Sequence, residues 1–282
     1  MSTLWHFLPG WGQLSMLGLC LLIFTPLEYL LPAQRGRRFF RPGWTTDLLH
    51  FLFTVIPVGL GLSAVIGGSV VLGHLVVPAA ARDWVAAQPV WLQVAVGTVL
   101  GDLFFYFGHR LQHEVPWLWD FHAVHHSSEQ LDWLAAFRVH PVDQVIERGT
   151  ALIPLFALGF SMPAILLAGF IYQWQALVIH SNLRLPAGPL KWLVATPAFH
   201  HWHHASEAEG HNKNFSGQLP LWDIVFGTAY LPDTMPARYG IAEPVSGNYL
   251  MQLLHPFVKM ARRLRRRRAA AAPAAKVTRP SA

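Results

Sequence analysis

Apolar positions in this chain fall in long, nearly unbroken blocks rather than in the alternating or 3.6-residue patterns of water-soluble domains. Residues 11–32 (WGQLSMLGLCLLIFTPLEYLLP) form the first block, and ~20 helical residues rising ~1.5 Å each cross a ~30 Å hydrocarbon core. The block predicts a transmembrane helix rather than a cleaved signal peptide, because no Lys or Arg precedes it and no small-residue cleavage pattern follows. Leu48 to Val77 predicts a span in the opposite direction, with Gly59, Gly61, Gly67 and Gly68 suited to close helix contact. Pro78 to Pro89 reads as an external loop, and Val90 to Gly108 as the next span. A further block from Thr150 to Ile179 is interrupted by Pro154, Gly159 and Pro163, which predicts two short helices in a hairpin. A hairpin returns the chain to the side it left. Residues 184–255 are more polar and predict a cap outside the bilayer.

Composition agrees with this pattern: 53% of the 282 residues are hydrophobic and 13% charged, against about 25% charged in an average soluble domain. A single cysteine, Cys20, excludes an intrachain disulfide, a CxxC redox pair and a cysteine zinc site. The net charge of +6 is local. From His255 onward there are nine basic residues and no acid, whereas residues 1–254 hold 12 basic and 15 acidic side chains. Beside apolar spans, this arginine run reads as a juxtamembrane segment facing anionic lipid rather than a nucleic-acid site. A second basic cluster, Arg35, Arg37, Arg38 and Arg41, follows the first span and places that end in the cytoplasm by the positive-inside rule. Counting crossings then brings His109, His180, the later histidines and the C-terminus to the same face.

Histidine changes the picture from membrane protein to candidate metalloprotein. Twelve of the 16 histidines lie between 109 and 211, and their spacing is helical. His109 and His113 are i, i+4; His122, His125 and His126 are i, i+3, i+4, and so are His200, His203 and His204, so each group shares one helix face. Eight imidazoles brought together are too many for one tetrahedral zinc and enough for two metals, and imidazole alone does not select the metal. Burying them without a cation would strand polar atoms. His6, His50, His74 and His255 read as ordinary packed or interfacial side chains. Other chemistries fail on their motifs: Trp117 stands where HExxH needs its second histidine, and there is no Glu-x-x-His, GxSxG, GxGxxG or phosphate loop.

The order HxxxH, HxxHH, HxxHH after two or more spans resembles the fatty acid hydroxylase and sterol desaturase superfamily of integral-membrane non-haem di-iron enzymes. DLFFYFGHRLQH, FRVHP at 137–141, HSN at 180–182, TPAFHHWHH and WDIVFGTAY at 222–230 extend the resemblance over residues 90–232. It implies that His109, His113, His122, His125, His126, His200, His203 and His204 are iron ligands, with His180 and His140 as additional ligands or close supports. His201 departs from the family pattern, since many relatives carry arginine there, and is expected to support the site from behind; His211 is expected to be structural. Asp102, two helical turns before His109, is expected to accept a hydrogen bond from a liganding histidine of another segment. Asp223 is expected to tie the cap and Glu28 to sit at the interface. The fold implied is an all-α integral membrane protein with about four transmembrane helices plus a hairpin or re-entrant segment and a cytoplasmic helical metal-binding cap. Its regions are 1–108 (N-terminal spans), 109–149 (boxes one and two), 150–181 (membrane hairpin), 182–260 (cap with box three) and 261–282 (basic disordered tail).

The same resemblance implies oxidation of a membrane-lipid C–H bond by O2, giving a hydroxylated or desaturated product, with two iron ions, for which zinc can substitute in purified samples. Phe104, Phe105, Phe107, Trp117 and Trp119 are candidates to guide a lipid tail. No flavin, haem or ferredoxin motif is present, so electrons are expected from a ferredoxin or cytochrome b5-like donor with its NAD(P)H reductase. The short loops point to a bacterial inner membrane. A histidine-rich metal transporter or a bis-histidine haem carrier is the alternative, and it would place its histidines within the spans.

Overall fold

The computed structural model describes residues 11–271, and among these residues the regular secondary structure is helical. Eleven α-helices follow one another: α1 (Trp11–Leu30), α2 (Trp44–Phe53), α3 (Val55–Val76), α4 (Ala79–Ala86), α5 (Val90–Glu114), α6 (Pro116–His126), α7 (Pro141–Ala157), α8 (Met162–His180), α9 (Pro197–His203), α10 (Leu221–Val225) and α11 (Tyr249–Ala271). The β pairing among the described residues is two isolated bridges, Pro32 to Leu183 and Ala205 to Tyr239. His6 and residues 272–282 of the basic tail lie outside the described residues.

Among the described residues, four helices are long and apolar enough to cross a membrane: Gly12–Leu30 within α1, α3, α5 and α8. Their outward faces stay apolar, with Leu22 74%, Leu60 71% and Leu75 78% exposed, a surface that lipid and not water would cover. The fourth span, α8, is the second arm of the expected hairpin. The first arm, α7, starts at Pro141, nine residues before the apolar block, so it carries polar residues into the helix bundle. The hairpin turns at Gly159, whose φ of +81° is open to glycine at little cost.

The block from Leu48 to Val77 is not one helix. It divides at Thr54 into α2 and α3, because Pro57 has no N–H to bond the carbonyl four residues back. The expected loop from Pro78 to Pro89 contains α4, whose Arg82 caps α3 by donating to the carbonyls of Gly73 (2.9 Å) and Val77 (2.5 Å). The basic segment from 261, expected to be disordered, continues α11 as far as Ala271.

Helices α3 and α7 run parallel in close contact. Gly61 meets Val145, Gly149 meets Val65, and Gly73 lies against the backbone of Ala157, so close that a Cβ on Gly73 would fall 2.3 Å from the Ala157 oxygen. Gly67 and Gly68, also expected to mediate contact, have nothing within 4 Å of such a Cβ. Gly73→Ala is expected to cost about 1–3 kcal/mol, because the obstacle is rigid backbone. Gly67→Ala should be neutral or slightly stabilising, and thermal unfolding of the two variants in one detergent distinguishes the sites.

Helices α1, α5 and α8 end at the same side of the bundle. The link after α1 bonds the segment after α8, Ala33 N–H to the Asn182 carbonyl (3.0 Å) and Arg184 N–H to the Leu31 carbonyl (2.9 Å). Beneath this junction lies an apolar core of Cys20, Phe24, Phe51, Trp133, Leu134 and Leu177. The histidine-bearing helices converge above it.

Candidate metal centre

Proline sets where the histidine-bearing helices start, and so the angular phase of their side chains. Pro116 and Pro197 open α6 and α9 at the first helical position, where a missing N–H costs nothing. Thr196 caps α9 by accepting from Phe199 N–H (3.2 Å). With these starts fixed, box two and box three turn their rings toward the C-terminal turns of α5 and α8.

Nine imidazoles gather there in two nests. His109, His113, His122, His126 and His203 form one, and His125, His180, His200 and His204 the other; within each nest the offered nitrogens lie within 4.8 Å of one another. In the first, Nε2 of His122 lies 3.0 Å from that of His109 and 3.1 Å from that of His126, which is 3.0 Å from that of His203. In the second, Nε2 of His180 lies 3.1 Å from that of His125 and 2.9 Å from that of His200, which is 3.1 Å from that of His204.

These contacts are not ordinary hydrogen bonds. The Nδ1 atoms of His125 and His180 face the carbonyls of Arg138 (3.1 Å) and Ala176 (2.7 Å) and must carry the proton there. Their Nε2 atoms therefore meet lone pair to lone pair. The same holds for His109, whose Nδ1 donates to the Phe215 carbonyl (2.6 Å), facing His122, whose Nδ1 donates to Asp143 Oδ1 (3.0 Å). Such an arrangement is repulsive unless a cation lies between the nitrogens. Burial holds His122, His125, His126, His200, His203 and His204 well below the usual histidine range, and neighbouring histidines push in the same direction. Neutral imidazole is the form that ligates metal.

The eight box histidines and His180 are thus brought together, and His140 is not. His140 caps α7, its Nδ1 accepting from Val142 N–H (3.1 Å) and its Nε2 donating to the Leu253 carbonyl (3.1 Å); with both nitrogens engaged it does not reach either nest. His201 faces away from the nests. It bonds the Tyr239 hydroxyl (2.7 Å) and the Ser181 carbonyl (3.0 Å), which braces the residue after His180. His211 is exposed.

Asp102 bonds no histidine among the described residues. Its carboxylate accepts the backbone N–H groups of Gly217, Gln218 and Leu219 at 2.8–3.0 Å, while Asp223 accepts those of Phe215 and Ser216, both at 2.8 Å. Together they fix the loop whose Phe215 carbonyl orients His109. Glu28 is half-buried at the end of α1, where its Oε1 accepts the N–H groups of Trp133 and Asn182, both at 2.8 Å. The role expected of Asp102 belongs to Asp143, which holds His122 and accepts from Gln112 Nε2 (2.6 Å). Glu147, one turn on, places Oε1 3.7 Å from His122 Nδ1 and 3.8 Å from His109 Nε2. The signal in the sequence was two acids four residues apart next to an apolar block. Of the aromatic candidates, Phe105 lies tilted against His109 (5.3 Å between ring centres) and Trp119 against His113 (5.1 Å), whereas Phe104, Phe107 and Trp117 turn outward.

Fold and site together define a helical membrane protein with two imidazole nests suited to a pair of metal ions. Comparison with known proteins agrees. The fatty acid hydroxylase family model matches residues 94–228. The ornithine lipid hydroxylase OlsE of Rhizobium tropici is 32% identical over 248 residues, 86% of this chain and 74% of its own length. Alkylglycerol monooxygenases of Xenopus tropicalis and Homo sapiens are 31% and 30% identical over 58% and 55% of this chain, which spans 35% and 34% of theirs. No solved structure matches. The chain belongs to the fatty acid hydroxylase superfamily, and these relatives are oxidoreductases, lipid hydroxylases and monooxygenases.

Proposed function

We propose that this protein is a di-iron oxygenase that hydroxylates a C–H bond of a membrane lipid with O2, using electrons from an external ferredoxin or cytochrome b5-like donor and its NAD(P)H reductase. Desaturation is the other outcome open to this centre; the names of the three relatives favour oxygen insertion. The observation that carries the reading is the lone-pair opposition of Nε2 atoms within two adjacent nests, which a pair of cations relieves. When bound, two irons supply the redox chemistry by which O2 attacks an unactivated C–H bond. Five rings from α5, α6 and α9 would hold one ion, and four rings from α6, α8 and α9 the other.

The remaining tasks fall to the chain itself. Carbonyls of Phe215, Arg138, Ala176 and Lys213 fix the protons of His109, His125, His180 and His203 on Nδ1. Phe105, Phe215 and Trp119 cover the first nest with apolar surface that excludes water. Phe105 also lines a largely apolar cavity of about 170 Å³ between α5, α7 and α8, bounded by Gly101, Leu155, Ala168 and Tyr172, a route by which an alkyl chain reaches the nests from the bilayer. The basic cluster after α1 lies at the same end as the nests, which supports a cytoplasmic metal site in a bacterial inner membrane. A bis-histidine haem is not favoured, because the other rings of each nest occupy the space a porphyrin needs.

Purified protein should carry about two irons per chain and no Soret band, and reconstitution with donor, reductase and O2 should add the mass of one oxygen atom to a membrane lipid. Haem absorption, or a metal-loaded protein that modifies no lipid of the expressing cell, would overturn the proposal. Asp143→Asn should weaken metal affinity about 10- to 100-fold, because the amide no longer fixes the His122 tautomer; chelator competition measures it.

A further inference from the structure

A second cavity, of about 470 Å³, opens where α1 leaves the membrane; Asn182 is part of its wall and no nest histidine lines it. The last turns of the α1 span supply one wall through Thr25, Glu28 and Leu30, and the link to α2 supplies Arg35, Arg37 and Arg38. Its charges are unequal in what they have left to bind. Asp132 is consumed by Arg41, with Oδ2 2.5 Å from Nε and Oδ1 2.5 Å from Nη2. Asp47 is shared between Arg41 (2.7 Å) and Arg138. The Oε1 atom of Glu28 takes two backbone N–H groups. Arg37 is fixed by Gln34 Oε1 (2.7 Å) and the Leu131 carbonyl, while its buried Nε has no hydrogen-bond partner among the described residues. Arg35 and Arg38 are exposed, and their guanidinium groups have no ion pair or hydrogen bond among the described residues.

The surroundings are those of a bilayer edge. Leu22 and Leu30 on α1 are 74% and 75% exposed and form an apolar track below the cavity. At its rim, Phe39, Phe40 and Trp44 contact one another edge-on or tilted at 4.8–5.8 Å, aromatic residues at the depth where such rings meet headgroups. Free guanidinium forks above an apolar track match an amphiphile with an anionic head and alkyl tails.

From this geometry we infer that the cavity is a binding site for the phosphate or carboxylate headgroup of an anionic membrane lipid, held by Arg35 and Arg38, with its tails along α1. The inference depends neither on the metal nor on the reaction proposed above. The positive-inside rule alone explains arginines after a span but requires only their charge, whereas a headgroup site requires their planar, bidentate donors. The double variant R35K/R38K separates the two, since it keeps every charge and both residues are exposed.

Full-length protein, delipidated in non-ionic detergent, would be titrated with phosphatidylglycerol, phosphatidylcholine or inorganic phosphate and read by native mass spectrometry. One phosphatidylglycerol per chain is expected, at least about tenfold tighter than phosphatidylcholine, with R35K/R38K weakening it about fivefold or more. R265K/R266K, exchanging exposed arginines of α11, should leave that affinity unchanged at the same melting temperature. Equal binding of the two phospholipids, or undiminished phosphatidylglycerol binding in R35K/R38K, would overturn the site. Displacement of the lipid by equimolar inorganic phosphate would overturn the lipid assignment in favour of a soluble anion.

Discussion

Alanine at His203 is expected to lower the metal content from about two ions per chain to about one and to reduce lipid oxidation more than about a hundredfold, a loss beyond that of removing a residue that merely supports a ligand. His203 is the ring that α9 contributes to a nest otherwise built from α5 and α6. Its Nε2 lies 3.0 Å from that of His126, and its Nδ1–H is fixed on the Lys213 carbonyl (2.7 Å). Without it the remaining four rings close only one side of the nest. The informative comparison is two positions earlier in the same box. His201→Ala removes bonds to Tyr239 and Ser181, so it should lower the melting temperature while retaining both metals. Plasma emission analysis of the purified variants, with product counted by mass spectrometry, tests both. Full metal occupancy in His203→Ala, or equal metal loss in both, would contradict the assignment of rings to nests.

Asp102→Asn should destabilise the protein by about 2–4 kcal/mol, seen as a fall in thermal unfolding temperature with little loss of expression. The wild-type carboxylate accepts three buried backbone N–H groups with two oxygens, and bonds to a charged acceptor contribute about 1.5–3 kcal/mol each. An asparagine keeps one acceptor oxygen and turns an NH2 donor toward an N–H donor, so at least one amide of Gly217 to Leu219 is left unpaired. The loop then loosens at Phe215, whose carbonyl sets the His109 proton (2.6 Å). A structural role predicts lost stability with metal retained at low temperature. Metal loss at full thermal stability would instead show that Asp102 acts on a ligand directly.

Much of this was legible in one dimension because it depends on local period. Box spacing places His109 with His113, and His122 with His126, on single helix faces whatever the tertiary fold, since each pair is one turn apart. Apolar block lengths similarly identified α1 and α5. The reading failed where a residue's partner is distant in sequence. His140 looked like a ligand by its company, yet it is the cap of α7, a role visible only once Pro141 is seen to start a helix at that position. In the sequence Asp102 reads as the carboxylate that holds a liganding histidine, whereas Asp143 is not singled out. Which of them holds a histidine depends on α7 beginning outside the apolar block and sliding Asp143 against His122.

By itself, then, the sequence determined that this is a helical membrane protein with three histidine faces, because hydropathy and helical period are properties of neighbouring residues. Only the tertiary structure decided how those faces are shared out. Box two sends His122 and His126 to one nest and His125 to the other, box three divides between His203 and the pair His200 and His204, and His180 joins from the end of a membrane span. On the one face of a box the adjacent rings, His125 and His126 or His203 and His204, still diverge by about 100° around the axis, enough for them to serve different nests. Which direction meets which partner is fixed by where α5, α8 and α9 end relative to α6, a matter of bundle packing that no local spacing encodes.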